Sequence, residues 1–168
     1  LKSLLENFFD HVCASVAKTT AQWMIGGFVH GVLNTDNINI SGESFDYGPY
    51  RFLPYYDANF TAAYFDQNGL YAYGEQPKIM LWNLQQLESC LQMIAPPGTS
   101  FKSGLQIYQN TFYQEVIALF LKKLNLAPKS DAEKNTDLFA AAIEFLNSTR
   151  CPYDSFFFDW HSGELSQD

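Results

Sequence analysis

With 168 residues, 47% of them hydrophobic and 17% aromatic, the chain has the size and apolar content of one globular domain with a real core, which excludes disorder. Its net charge of -8 excludes a protein that tracks a phosphate backbone, because that role needs clustered Lys and Arg to release counterions. No apolar run approaches the roughly 18–20 residues of a membrane helix and nothing resembles a secretory leader, so a soluble protein with no nucleic-acid or membrane partner is expected.

In chain order, the first element is a helix. Leu1, Leu4, Leu5, Phe8, Phe9, Val12 and Val16 follow the i, i+3, i+4, i+7 rule, which predicts one buried stripe, and Gly26-Gly27 ends it. "VHGVLNTDN" is rich in turn formers. In "INISGESF", Ile38 and Ile40 alternate with polar residues before Ser41-Gly42-Glu43, which predicts a small β-hairpin. Antiparallel pairing there would bring Asn37, before the first strand, and Asp46, after the second, to one end.

From Gly48 to Pro77 there is no sustained period. A loop of about 30 residues is far longer than the usual connection and points to function or to partner packing. Three helices follow. "LWNLQQLESCLQMI" stops at Pro96-Pro97, "LQIYQNTFYQEVIALFLKKL" ends before Pro128, and "SDAEKNTDLFAAAIEFLNS" opens with Ser130 and Glu133 in capping-box spacing. The tail is aromatic, then polar. The fold class expected is mainly α with a small β-hairpin, in a single domain over residues 1–168. Cys13, Cys90 and Cys151 lack zinc-site spacing and read as reduced core thiols. The chain opens at Leu1 on a helix, without an initiator Met, and is expected to be a piece of a longer protein.

The chemistry concentrates between His30 and Tyr50. Protein kinases carry a loop H-R-D-L-x-x-x-N whose Asn binds Mg2+, followed by D-F-G whose Asp binds Mg2+ at the phosphates. His30 and Asn37 have the same offset, and Asp46-Tyr47-Gly48 stands where D-F-G would follow a short hairpin. The element order matches a kinase C-lobe. Val32 occupies the position of the kinase base, so ordinary phosphate transfer lacks its proton acceptor. Asn37 and Asp46 offer the oxygen ligands that Mg2+ prefers, and Asp36 is a carboxylate beside them that can act as a base. Asn-Thr-Asp-Asn is also ordinary turn chemistry, because these side chains bond their own backbone. His30 reads as a structural hydrogen-bonding residue. An EF-hand calcium loop is excluded because Ile38 and Ile40 interrupt its alternating oxygen ligands.

The stretch "HGVLNTDNINISGESFDYGPYRFLPYYD" resembles the selenoprotein O family of kinase-like protein adenylyltransferases, whose motif reads approximately HGVxNTDNxSIxGxTxDYGPxxFLDxY. The likeness extends through "FFDHVCASVAKTTAQW", "YAYGEQPKIMLWNL" and "YDSFF". The resemblance implies a protein-kinase-like C-lobe fragment (α+β) that binds ATP in reversed orientation and transfers AMP to Ser, Thr or Tyr hydroxyls of proteins. It further implies Asp36 as proton acceptor, Asn37 and Asp46 as ligands of Mg2+, with Mn2+ the alternative ion, and Asp46 near the ATP phosphates. The compartment it implies is the cytoplasm in a bacterium or the mitochondrion in a eukaryote. Ala62, Tyr64 and Leu70 depart from family habit, so redox control through that loop is not expected. These departures motivate the alternative of a non-catalytic, pseudokinase-like module that binds nucleotide or protein. With no Gly-rich loop and Lys ahead of the first helix, the isolated piece is expected to be inactive.

Overall fold

The computed structural model describes residues 1–161. It is mainly helical, built around α1 (Lys2–Gly26), with one antiparallel pair of three-residue strands, β1 (Phe28–His30) and β2 (Tyr50–Phe52). The other helices are α2 (Gln76–Ile94), α3 (Lys102–Lys123), α4 (Ala132–Thr149) and α5 (Tyr153–Asp159). No described helix is long and apolar enough to cross a membrane.

Two apolar clusters share α1. One joins Phe9, Val12, Cys13 and Val16 to Leu33, Met80, Leu84 and Tyr108. The other joins Ala21 and Ile25 to Val29, Phe120, Leu146, Tyr153 and Phe157. α3 lies directly on α1 because Gly104 has no side chain: a Cβ there would come within 2.4 Å of the Phe9 ring. The expected stripe on α1 holds from Leu5 onward, with Leu5 and Phe8 half-buried against the core, but Leu1 and Leu4 are exposed, since α2 and α3 cover the later turns.

α1 stops at Gly27, which takes φ of 66° and donates its N–H to the carbonyls of Met24 and Trp23. Its last carbonyls also accept from distant donors. The hydroxyls of Tyr73 and Tyr153 reach Met24 O at 2.6 and 2.9 Å, and Lys123 Nζ reaches Ile25 O at 3.1 Å. A helix end that would otherwise bury orphan acceptors is thereby satisfied, and the long loop, α3 and α5 converge on it.

The strands are not where the alternating pattern placed them. "INISGESF" forms a single antiparallel bridge, Ile38 to Ser44, with Asn39 N–H donating to Glu43 O. The chain reverses immediately at Gly42, whose φ of 99° and close approach to Ser15 turn the tip over α1 and leave Ile40 exposed. The paired strands flank this turn, in segments read as turn-rich and as loop, because three residues are too few to show a period. The cap of α4 is also displaced by one residue: Asp131, not Ser130, accepts from the N–H of Glu133. Of the cysteines only Cys13 is a core thiol, with burial and then the Asp10 and Glu88 charges pushing it up to about 12. Cys90 is exposed and Cys151 half-buried.

α2 begins at Gln76, followed by Pro77, a residue at home in a first helical turn. The fully buried Gln76 side chain accepts from His30 N–H at 2.9 Å and donates to Phe28 O at 2.9 Å. It thus completes the free edge of β1 as a third strand would. Replacing it by Leu strands a buried donor and a buried acceptor. Gln76→Leu is therefore expected to lower the unfolding free energy by about 3 kcal/mol, measured by urea titration of the full-length protein.

Candidate active site

The candidate site hangs from the end of β1. Gly31 donates its N–H to Pro49 O at 2.8 Å, an approach so close that a Cβ at Gly31 would lie 2.5 Å from that oxygen. Here a glycine is required by contact rather than by dihedral angle. Residues Thr35–Asn37 then form one 3-10 turn.

Asn37 is buried in this turn. Its Nδ2 donates to Val32 O at 2.9 Å, which fixes the amide's orientation and leaves Oδ1 as its only atom able to ligate a cation. The Asn37 carbonyl accepts from Phe45 N–H at 3.2 Å. That bond sets Asp46, the next residue, beside the turn, as the sequence predicts, although a single bridge rather than a full hairpin does it. Asp46 is exposed and left-handed, with φ of 59°, a conformation that Asp tolerates better than most residues. Gly48 N–H donates to Asp46 O at 2.8 Å. Asp36 is exposed on the outer side of the 3-10 turn. Val32 carries no acid–base group, and its backbone serves the site instead.

His30 is fully buried. Val32 N–H donates to its Nδ1 at 3.2 Å, so the proton resides on Nε2, which donates to Phe45 O at 3.2 Å. Both ring nitrogens are thereby committed to backbone, and the residue is the brace that the sequence suggests. Burial lowers its pKa, opposed by the Phe45 hydrogen bond and the Asp46 charge. Tyr47 packs on the same ring at 5.3 Å between centroids and donates its hydroxyl to Ser44 O at 2.8 Å.

Sequence reasoning missed several supporting residues. Gln76 falls in the stretch without a period, although Pro77 marks a helix start. Asn83 Nδ2 donates to Leu33 O at 3.0 Å from the core face of α2, a polar residue that the apolar pattern does not single out. Tyr71 donates to Asn34 Oδ1 at 2.7 Å across 37 residues of sequence, a contact no local signal announces.

The turn presents an amide oxygen, Asn37 Oδ1, and one exposed carboxylate, Asp36, next to the exposed, left-handed Asp46, oxygen donors of the kind that hard cations take. In comparison with known proteins, residues 2–167 match the family described as "Protein adenylyltransferase SelO". The chain is 42% identical over 154 residues to "Protein nucleotidyltransferase YdiU" of Synechocystis, covering 89% of the chain and 32% of that protein. It is 41% identical over 152 residues to the protein of the same name from Trichormus variabilis, covering 90% and 31%. A Shewanella relative of that name is 40% identical over 130 residues, covering 77% and 27%. The chain belongs to the SelO family of protein adenylyltransferases, and it spans about a third of the length of these curated relatives.

Because the folded-state pKa of His30 lies below its ordinary 6.5, the unfolded chain binds the proton more tightly. The contribution of neutral His30 is therefore complete above pH 6.5 and is lost as pH falls below it toward the folded value. The thermal midpoint is expected to drop as pH falls below 6.5. In His30→Gln, which retains a donor for Phe45, the drop is smaller; differential scanning calorimetry across that range checks it.

Proposed function

We propose that the full-length protein transfers AMP from ATP to Ser, Thr or Tyr hydroxyls of other proteins, with this chain as its kinase-like C-lobe domain. The observation that carries this reading is the Phe45–Asn37 hydrogen bond, which sets Asp46 beside the buried amide of Asn37 next to Asp36. In the proposed chemistry Asp36 accepts the proton of the substrate hydroxyl. The hydroxyl oxygen bonds to the α-phosphorus, the bond to the bridging oxygen of the β-phosphate breaks, and pyrophosphate leaves with that electron pair. The products are the AMP ester and pyrophosphate, and Asp36 returns the proton to solvent.

The donor set fits a hard cation. Asn37 and Asp46 present oxygens only, and the described residues contain no cluster of three or more His, Cys, Asp or Glu that would hold a metal by themselves. Mg2+ commonly takes one or two carboxylates and completes its shell with substrate phosphates and waters. Asn37 Oδ1 and Asp46 would hold it, with Mn2+ the alternative, and it would neutralise charge on the phosphates. In this reading Asp46 also approaches the ATP phosphates. Positioning and electrostatics then supply most of the rate, as in other phosphoryl chemistry.

The test uses the full-length protein with ATP labelled at the α- or the γ-phosphate. Protein is expected to retain label from α-labelled ATP only, and Asp36→Asn, Asn37→Ala and Asp46→Ala are each expected to lower transfer at least about a hundredfold. Label from γ-labelled ATP would mean phosphate transfer instead. Nucleotide binding without labelled product would favour a non-catalytic binding module, the reading that the exposed Tyr64 and Leu70 of the long loop would then serve.

A further inference from the structure

The 3-10 turn that carries Asp36 and Asn37 lacks its own cap. Asn34 stands at the N-cap position, where an Asn side chain ordinarily accepts from an N–H one or two residues into the turn. Its backbone carbonyl does accept from Asn37 N–H at 3.0 Å, but its side chain makes no capping bond. Asn34 Oδ1 instead accepts from the Tyr71 hydroxyl at 2.7 Å. The side chain that would steady the turn from within is diverted to a residue at the far end of the long loop.

Tyr71 is a fixed strut. Both oxygens of Asp66 accept from successive backbone N–H groups, Leu70 at 2.9 Å and Tyr71 at 2.8 Å, pinning the chain where the ring departs. Ala72 N–H donates to Gly69 O at 3.1 Å. Just beyond, Tyr73 is tied to the end of α1 and Gln76 to β1. The ring packs against the cluster containing Leu33 and Met80. Burial, then the charges of Asp66 and Asp36, raise the Tyr71 pKa, so the hydroxyl remains a protonated donor and Asp36 is close enough to act on it.

We infer that Tyr71 is a positioning residue for Asp36: its hydrogen bond to Asn34 replaces the missing cap and holds the Thr35–Asn37 turn in register with the long loop. The inference rests on the proposed role of Asp36 as proton acceptor. It extends that role by making the base's placement depend on how the loop from Leu53 to Ala72 is folded.

The bond lies at the surface, so Tyr71→Phe keeps the ring packing and the fold. In the full-length protein, Tyr71→Phe and Asn34→Ala are each expected to lower kcat for AMP transfer about tenfold, with KM for ATP within about twofold of wild type. The double variant should be no worse than the poorer single variant, because both substitutions remove one link. Amide hydrogens of residues 34–38 should exchange faster in both single variants. Wild-type kcat in Tyr71→Phe, multiplicative losses in the double variant, or unchanged exchange would each overturn the inference while leaving AMP transfer by the protein intact. Full transfer by Asp36→Asn would instead refute the base assignment, and with it the role given to Tyr71. Should the protein transfer no AMP, unchanged exchange would still overturn the link, and faster exchange would confine Tyr71 to steadying the turn.

Discussion

The buried side-chain amide of Gln76 is the contact on which the site depends most. β1 is three residues long and has one partner strand, and a lone two-stranded pair is marginal in water. Its other edge would expose a backbone donor and acceptor to an apolar interior, at a cost of about 1–3 kcal/mol for each group left unpaired. One amide satisfies both, and it sits on the first residue of α2. The strand that delivers His30 and Gly31 is thereby locked to a helix some forty-five residues later in sequence. Slipping β1 by one residue would turn the fully buried Val29 away from the core and break both bonds to Gln76, so packing and the amide fix the same register.

From that anchor the geometry propagates by short polar steps. His30 commits one ring nitrogen to the turn at Val32 and the other to the returning chain at Phe45. Asn37 repeats the device, donating to Val32 and accepting from Phe45. The two segments carrying Asn37 and Asp46 are therefore joined by two bonds to the backbone of Phe45 and braced by two more to the backbone of Val32, and Asn83 ties the same turn down to α2 through Leu33. Each bond is worth about 1 kcal/mol in isolation. Their shared partners make them cooperative, since losing one loosens the donors and acceptors of the next.

What the sequence discloses follows from which interactions are local. The helices were readable because their apolar spacing and terminators lie within a few residues: Gly27 for α1, Pro96-Pro97 for α2 and Pro128 for α3. Asp36, Asn37 and Asp46 stand out as candidates because residue type, offset and the intervening turn are also local, and the backbone bond from Phe45 N–H to Asn37 O brings the two segments together. β1 and β2 were not, since three residues show no period and their pairing is fixed by a bond between Gly31 and Pro49. Gln76, Asn83 and Tyr71 were equally hidden. Each is an ordinary polar or aromatic residue whose partner lies 37 to 50 positions away.

The left-handed turn at Asp46 is the consequence of these constraints meeting. Phe45 must present its N–H to Asn37 and its carbonyl to His30, which fixes the direction in which the chain arrives. Tyr47 must return its ring to His30 and its hydroxyl to Ser44, whose own hydroxyl donates back to it at 3.0 Å. Pro49 must then reach Gly31. Only a sharp reversal between Phe45 and Tyr47 satisfies all of these, and a positive φ at Asp46, closed by the Gly48 N–H, provides it. The strain of order 1 kcal/mol falls on a residue type that tolerates it, at the exposed apex of the reversal. The exposed carboxylate there is held by a backbone that the neighbouring bonds over-determine, the condition under which the ligand role proposed for Asp46 would need no reorganisation.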